Sequence, residues 1–377
     1  MLDGLMNKGV LPFVVLPDRN GIYKELTDRN VPVFVCIFRS QAYPHHKTLK
    51  EWLLFLPRLI ARLYFNYRAA KKIYIYATAK QIDLIHTNVG VAGVGFHASR
   101  RAGIPHIYHI REYADLIGTH YFPTKDHFLR QLDLPGSFSI CITKDLQRYY
   151  KQEEKPTSIV IYDGVKETAE SFRCPEQRSY LLYVGRIESI KGLDVLVRAY
   201  HAYTQRVEKE KVLPLKIAGQ APPTSERYLY HIQQYVHCHQ IADKVCFLGH
   251  RSDIDQLMNS ARAIIIPSLY EGFGFCLSEA MFQGCLAIAN DTNGTKEQLD
   301  NGLALTDHEI ALRYHTEEEL TDLLIDVTVQ SEESFDDYRR YAFQAVNTLY
   351  TKERHVEDVF EFYKTINSQN LHPICQK

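Results

Sequence analysis

Two short segments of this sequence carry residue types suited to holding a diphosphate and a sugar. The first is Glu271-Gly272-Phe273-Gly274-Phe275-Cys276-Leu277-Ser278-Glu279. It follows the apolar run Ile264-Ile265-Ile266-Pro267-Ser268 and continues into Ala280-Met281, which reads as strand, glycine-bearing turn and amphipathic helix. Gly272 and Gly274 permit backbone geometries closed to other residues and let a ligand approach the main chain. The free amides and dipole of the helix start suit a diphosphate. Glu271, just before the helix, and Glu279, one to two turns in, are acceptor-only carboxylates that match the hydroxyls of a sugar and a ribose. Taken alone, the segment reads equally well as a helix start whose acids complement the dipole.

The second segment is Tyr183-Val184-Gly185-Arg186-Ile187-Glu188-Ser189-Ile190-Lys191-Gly192, again strand, glycine turn and helix start. Arg186 and Lys191 share one loop at a strand's carboxyl end. A forked guanidinium beside a mobile ammonium makes a clamp for a leaving diphosphate, and in a dry cleft such cations stabilise charge that grows as a glycosidic bond breaks. An isolated Arg and Lys are otherwise ordinary surface cations. Other motifs point elsewhere or nowhere. Asp253-Ile254-Asp255 has the form of a metal-holding D-x-D, but it opens a helix, so Ser252 or Asp253 is expected as the N-cap. His237-Cys238-His239 lacks a second ligand pair for zinc. No P-loop or nucleophile-elbow motif is present.

Both segments need strands and helices to position them. Strand-like runs in the first half are Leu11–Leu16, Val31–Phe38, Asp83–Thr87, His106–Ile110, Phe138–Thr143 and Ser158–Tyr162. Those in the second half are Tyr180–Val184, Leu213–Ala218, Val245–Leu248, Ala263–Pro267 and Cys285–Asn290. Their alternation with helical stretches predicts α/β units and mostly parallel sheets. Two such sheets facing each other would form a cleft, with ligands beyond the carboxyl ends of the strands. At 377 residues, two domains are the natural expectation. The polar, aperiodic stretch Lys166–Arg178 reads as a linker. The boundaries predicted are 1–165, 166–178, 179–350 and a final helix within 351–377.

Together the two segments resemble family-4 retaining glycosyltransferases (glycosyl transferases group 1) of bacterial polysaccharide type, with the GT-B fold. G-R-x4-K-G stands at Gly185–Gly192 and E-G-F-G-x4-E at Glu271–Glu279. The resemblance extends to Ile217-Ala218-Gly219, Phe247-Leu248-Gly249, Asn293-Gly294-Thr295 and Ile161-Tyr162-Asp163-Gly164-Val165, with Asp163 where the family has Asn. It implies two Rossmann-like domains across a cleft and a C-terminal helix crossing back to the first. It also implies transfer of a hexose-type sugar from a UDP- or GDP-type donor to a saccharide or lipid-linked acceptor, with neither metal nor cofactor. Arg186 and Lys191 would bind the diphosphate, Glu271 the sugar and Glu279 the ribose. Backbone at Gly272, Phe273, Gly274, Phe275, Cys276 and Leu277 would cradle the donor beside Gly185 and Gly219, and Arg251 would approach the base. In the first half, His109 or Arg111, with Glu112 nearby, would meet the donor sugar. His109 reads equally well as a partly buried structural residue. Such chains begin with a strand and a glycine-rich loop, whereas this sequence opens at what resembles the end of the following helix, Leu2–Lys8. That predicts an unfilled position or an exposed edge in the first sheet.

Composition limits the remaining readings. The chain is 45% hydrophobic and 24% charged with formal net charge −1, so it has no global basic field for nucleic acid. Eight scattered cysteines without a C-x-x-C pair predict a reduced, cytoplasmic protein. The opening residues lack the apolar region of a signal peptide. The richest apolar run, Trp52–Leu56, stops at Pro57-Arg58, short of the roughly 18 residues of a span. Residues 47–80 interleave Lys47, Lys50, Arg58, Arg62, Arg68, Lys71, Lys72 and Lys80 with leucines and aromatics, against the single acid Glu51. This predicts peripheral contact with an anionic inner-leaflet surface, or else a solvated helix packed on the sheet. Two rival functions are a GT-B-fold partner protein acting by binding alone, and a phosphorylase or epimerase.

Overall fold

The computed structural model describes residues 1–44, 49–116, 119–172 and 178–370. Lys47, part of the predicted linker and residues 371–377 therefore lie outside the described residues. The chain divides into two compact units: Met1–Ile161 together with the residues from Val356, and Tyr162–His355.

The first unit contains β1 (Val14–Leu16), β2 (Val33–Val35), β3 (Ala42–Pro44), β4 (Ile85–Thr87), β5 (His106–Ile110), β6 (Thr119–Tyr121), β7 (Ser137–Cys141) and β8 (Ser158–Val160). Its helices are α1 (Leu2–Asn7), α2 (Tyr23–Asp28), α3 (Leu49–Ala79), α4 (Val94–Ala102), α5 (Lys125–Leu132) and α6 (Lys144–Tyr149). Strands β4, β5, β7 and β8 form one parallel sheet in that order. Its inner strands β5 and β7 are buried along their whole length, as parallel strands covered on both faces must be. Strands β1 and β2 pair parallel to each other as a separate two-stranded sheet. Val15 of β1, Phe34 of β2 and Ile85 of β4 nevertheless pack on one cluster with Ala69 and Ile73 of α3 and Val94 and Ala98 of α4. The pair β1–β2 and the strands β4-β5-β7-β8 are thus separate sheets that share one hydrophobic cluster. The antiparallel ribbon β3–β6 was not foreseen. Pro57 lies inside α3 on its exposed side, so the proline that interrupts the apolar run does not end the helix.

The second unit contains β9 (Leu181–Val184), β10 (Leu215–Ala218), β11 (Val245–Gly249), β12 (Ala263–Ile266), β13 (Ala287–Asn290) and β14 (Leu312–Tyr314). Its helices are α7 (Leu193–Arg206), α8 (Glu226–Cys238), α9 (Ile254–Asn259), α10 (Phe275–Phe282), α11 (Asn293–Thr306), α12 (Glu317–Val329) and α13 (Asp336–Leu349). The last helix, α14 (Lys352–Asn370), starts in this unit and continues into the first. There, Val356, Val359, Phe362 and Ile366 share a core with Leu5, Ile107, Phe138 and Ile140. The second sheet is wholly parallel with order β11-β10-β9-β12-β13-β14. Helix α7 buries Leu196, Val197, Tyr200 and Tyr203 at helical spacing, against Leu320, Leu324 and Val327 of α12. Thr316 caps α12 by accepting from the Glu319 amide at 3.2 Å.

Residues 166–172 of the stretch read as a linker are anchored within the second unit. Lys166 bridges Thr351, Ala169 exchanges hydrogen bonds with Asn347, and Phe172 covers Gly284. Gly164 is explained by its surroundings: a Cβ there would stand 2.7 Å from the Lys352 Cα.

Candidate functional site

Strand β9 has β10 on one side and β12 on the other, so the winding direction of the second sheet reverses between β9 and β12. Ligands of open α/β sheets bind beyond the carboxyl ends of the strands at such a reversal. The two chemically suggestive segments are the loops that leave β9 and β12 at this place.

The β9 loop passes through a short 3-10 turn, Ser189–Lys191, to Gly192 at φ +65°. Gly192 also abuts the β12 loop so closely that a Cβ would lie 2.0 Å from the Pro267 carbonyl oxygen. The Leu269 amide donates to the Ile190 carbonyl at 2.9 Å, tying the two loops together. Gly219, after β10, has no room for a side chain, since a Cβ would meet the Gly185 carbonyl oxygen at 1.8 Å. The glycines therefore draw three strand-end loops to backbone contact.

This closeness brings Lys191 Nζ within 2.6 Å of Glu271 Oε1, with the two side chains 21% and 17% exposed. The pair lines a narrow cavity of about 30 Å³ with Gly185, Ser268, Cys276 and Tyr183 among its walls. Cys276 sits in the first turn of α10, after Gly274 at φ +98°. Burial, with the charges of Glu279 and Glu271, pushes its thiol up to about 12, so it is a neutral wall rather than a nucleophile. Gln298 of α11 donates to the Phe273 carbonyl at 2.5 Å and the Gly274 carbonyl at 3.1 Å, and Gly294 lets α11 approach the Gly272 carbonyl. These contacts hold the Glu271–Gly274 turn in one shape.

The remaining predicted donor residues divide. Phe273 and Leu277 are core residues, 2% and 0% exposed, while Phe275 is exposed. Glu279 is half-buried, and burial raises its carboxyl above the ordinary value while Lys166 opposes and Asp255 adds to the rise. Arg186 is not brought into the cavity: its side chain is 71% exposed and meets Glu188 at 3.4 Å. Arg251 forms a two-bond fork with Asp253 at 2.8 and 2.6 Å. Asp253 does occupy the N-cap of α9, but its carboxylate serves Arg251 instead of capping, and Asp255 pairs with Lys166 at 2.6 Å. Tyr183, Pro267, Ser268 and Gln298 escaped sequence reading because only the fold brings them to the cavity wall or the turn behind it.

In the first unit, His109 is fully buried on β5. Its Nδ1 lies 3.2 Å from His86 Nε2, and His86 Nδ1 lies 2.5 Å from the Tyr363 hydroxyl of α14. Arg111 donates to Asn88 Oδ1 at 3.2 Å and approaches His109 Nδ1 at 3.5 Å. An arginine only donates, so His109 Nδ1 accepts, and His86 Nε2 donates to it.

Among the described residues no helix is long and apolar enough to cross a membrane. Residues 165–343 match the family model of glycosyl transferases group 1. An uncharacterized glycosyltransferase of Bacillus subtilis, YqgM, is 30% identical over 119 residues, 31% of each chain. That match therefore spans under a third of the relative's length. A second uncharacterized glycosyltransferase, MJ1178 of Methanocaldococcus jannaschii, is 24% identical over 310 residues, covering 79% of this chain and 83% of its own. The crystal structure of Anabaena Alr3699/HepE in complex with UDP and glucose superposes with a TM-score of 0.70 at 18% identity, covering 94% of this chain and 91% of its own. With the motifs above standing at a sheet reversal, these matches show a chain of the GT-B fold whose residues 165–343 are similar to the glycosyl transferases group 1.

Proposed function

We propose that this chain transfers a hexose from a UDP- or GDP-sugar to a saccharide or lipid-linked acceptor, with retention of anomeric configuration. The observation that carries the reading is the Lys191–Glu271 pair at the reversal of the second sheet. It sets a diphosphate partner beside a hydroxyl acceptor on loops that Gly192 and Gly219 let approach to backbone contact. Support for the donor class comes from Alr3699/HepE, whose structures hold UDP, glucose and UDP-glucose.

In this reading the diphosphate takes Lys191 from Glu271, and the sugar hydroxyls take Glu271 in return. Arg186 turns from Glu188 to the phosphate. The bond between the anomeric carbon and the phosphate oxygen breaks, and the acceptor oxygen bonds to that carbon on the same face. The acceptor's proton passes to the leaving phosphate oxygen. Glu279 receives ribose hydroxyls, for which its raised carboxyl must ionise. The reaction belongs to surface-polysaccharide or related glycan synthesis on the cytoplasmic face, with α3 meeting the membrane. Glu271→Ala should lower transfer about 10²–10³-fold, the usual cost of deleting one group aimed at reacting charge. Full transfer activity in that variant, on a donor that the native chain uses, would overturn the assignment.

A further inference from the structure

The two carboxylates of the candidate site are held differently. Glu271 has Lys191 at 2.6 Å. Glu279, in the middle of α10, is half-buried. Among the described residues its carboxylate accepts no hydrogen bond and meets no cation at ion-pair distance. A carboxyl taken out of water without a partner favours its protonated form, so burial raises Glu279 above the ordinary value of 4.5. Protonation turns one of its oxygens into a donor and removes its capacity to accept two hydroxyls at once. An acceptor role therefore needs a positive charge nearby.

Two side chains from neighbouring elements act on Glu279 with opposite sign: Lys166 lowers its carboxyl and Asp255 raises it. Asp255 stands in the first turn of α9, which packs beside α10. Lys166 belongs to the stretch that reads as a linker, yet its place is fixed. Its main chain bridges Thr351, and its carbonyl accepts from the Lys352 amide at 2.8 Å. Its Nζ lies 2.6 Å from Asp255 Oδ2, with the two side chains 25% and 61% exposed. The ammonium is thus bonded to one carboxylate and acts on a second from beyond ion-pair distance, where partial burial keeps the attraction from being fully screened. On α10 itself, Cys276 stands one turn before Glu279, but its thiol is pushed up to about 12 and is neutral. Among the described residues, α13, β12 and β13, which also pack on α10, bring no charge that acts on Glu279.

We propose that Lys166 is a positioning residue for Glu279: anchored at Thr351 and held by Asp255, it keeps that carboxylate in its acceptor form, so that binding of a nucleotide sugar weakens in acid. The inference rests on the proposed donor site for the identity of this ligand; the action of Lys166 on Glu279 does not need it. The signs are opposite for the two partners. Without the Lys166 charge, Asp255 alone acts, and Glu279 titrates at a higher pH. Without the Asp255 charge, a repulsion disappears and Lys166 is freed, so Glu279 titrates at a lower pH. Loosened packing would instead move Glu279 down toward its ordinary value in both cases. Affinity that depends on the ionised carboxylate is complete above the Glu279 titration and is lost as pH falls through it.

The test uses the full chain carrying carboxyl-labelled glutamate, with the resonances followed by NMR against pH and Glu279→Gln assigning the Glu279 signal. Lys166→Met keeps the side-chain reach without the charge and should move the Glu279 titration to higher pH. Asp255→Asn, a change at an exposed side chain, should move it to lower pH. UDP-glucose, whose diphosphate diester does not titrate in this range, is then bound to the same chains in a calorimeter. At the pH where native Glu279 is half ionised, Lys166→Met should bind it about twofold more weakly than the native chain and Asp255→Asn more tightly, with the three converging at about pH 8. An unmoved or reversed Glu279 titration in either folded variant, or a loss of affinity in Lys166→Met that is the same at every pH, would overturn the inference. A native chain that fails to bind UDP-glucose would count against the donor site instead, and the NMR titration would still decide the role of Lys166.

Discussion

Lys191 and Glu271 are mostly covered and hold each other at 2.6 Å. Removing either leaves the other a poorly solvated charge, which costs more than removing both. A double-mutant cycle on thermal or denaturant unfolding should therefore show coupling of about 0.5–3 kcal/mol, with the double alanine variant more stable than the sum of the singles. Additive effects would mean that the pair does not form in solution. Arg186 behaves differently because it is exposed. Arg186→Ala should leave unfolding unchanged and lower turnover of a nucleotide sugar about 10–100-fold, the worth of one charged hydrogen bond to the leaving phosphate. The residue types of this candidate site could be read from the sequence because the two segments together form one ordered motif set, although each alone has an ordinary structural reading. Side-chain direction could not. Glu188 competes for Arg186 two residues away, and Asp253 competes for Arg251, through local pairs that no spacing rule ranks.

At the scale of elements, glycine packing fixes the loops after β9, β10 and β12. Gly192→Ala would combine a left-handed φ with a 2.0 Å clash against the Pro267 carbonyl. It should destabilise the second unit by about 1–3 kcal/mol and disturb donor binding, seen as a lower unfolding midpoint and a weaker UDP response. In the first unit, His106 on β5 meets Thr87 of β4 at 2.7 Å, and burial, with His86 and His97 adding, lowers its imidazole to about 3. The unfolded chain binds this proton below the ordinary value of 6.5, while the folded chain resists it until about 3. Stability should thus fall as pH drops through that window. His106→Asn should flatten this slope in acid unfolding followed by circular dichroism. A strand such as Ala263–Ile266 was legible because burial on both faces leaves a continuous apolar run. The ribbon β3–β6 was not, because three-residue strands such as Ala42-Tyr43-Pro44 show no alternation and gain their partner from a distant segment. The contact of Tyr363 with His86 across 277 positions was equally beyond periodicity.

For the whole molecule, the second unit carries the proposed donor site, and the residues from Val356 of the last helix group with the first. UDP at a hundred times its dissociation constant should stabilise the chain by about 2.7 kcal/mol. Amide exchange should show the new protection in Gly185–Gly192 and Pro267–Leu277. Protection confined to the first unit would misplace the site. The family resemblance was legible mainly in the second unit, where glycine contacts constrain residue type. The first unit's sheets accept many apolar sequences, and which of their strands pair shows only in the structure. The most direct measurement is release of nucleoside diphosphate from a panel of UDP- and GDP-hexoses with acceptor present, comparing the native chain with Glu271→Ala and Lys191→Ala of verified fold. The account predicts turnover of at least one donor by the native chain and a loss of about 10²–10³-fold in each variant. Undiminished turnover in both variants would contradict it.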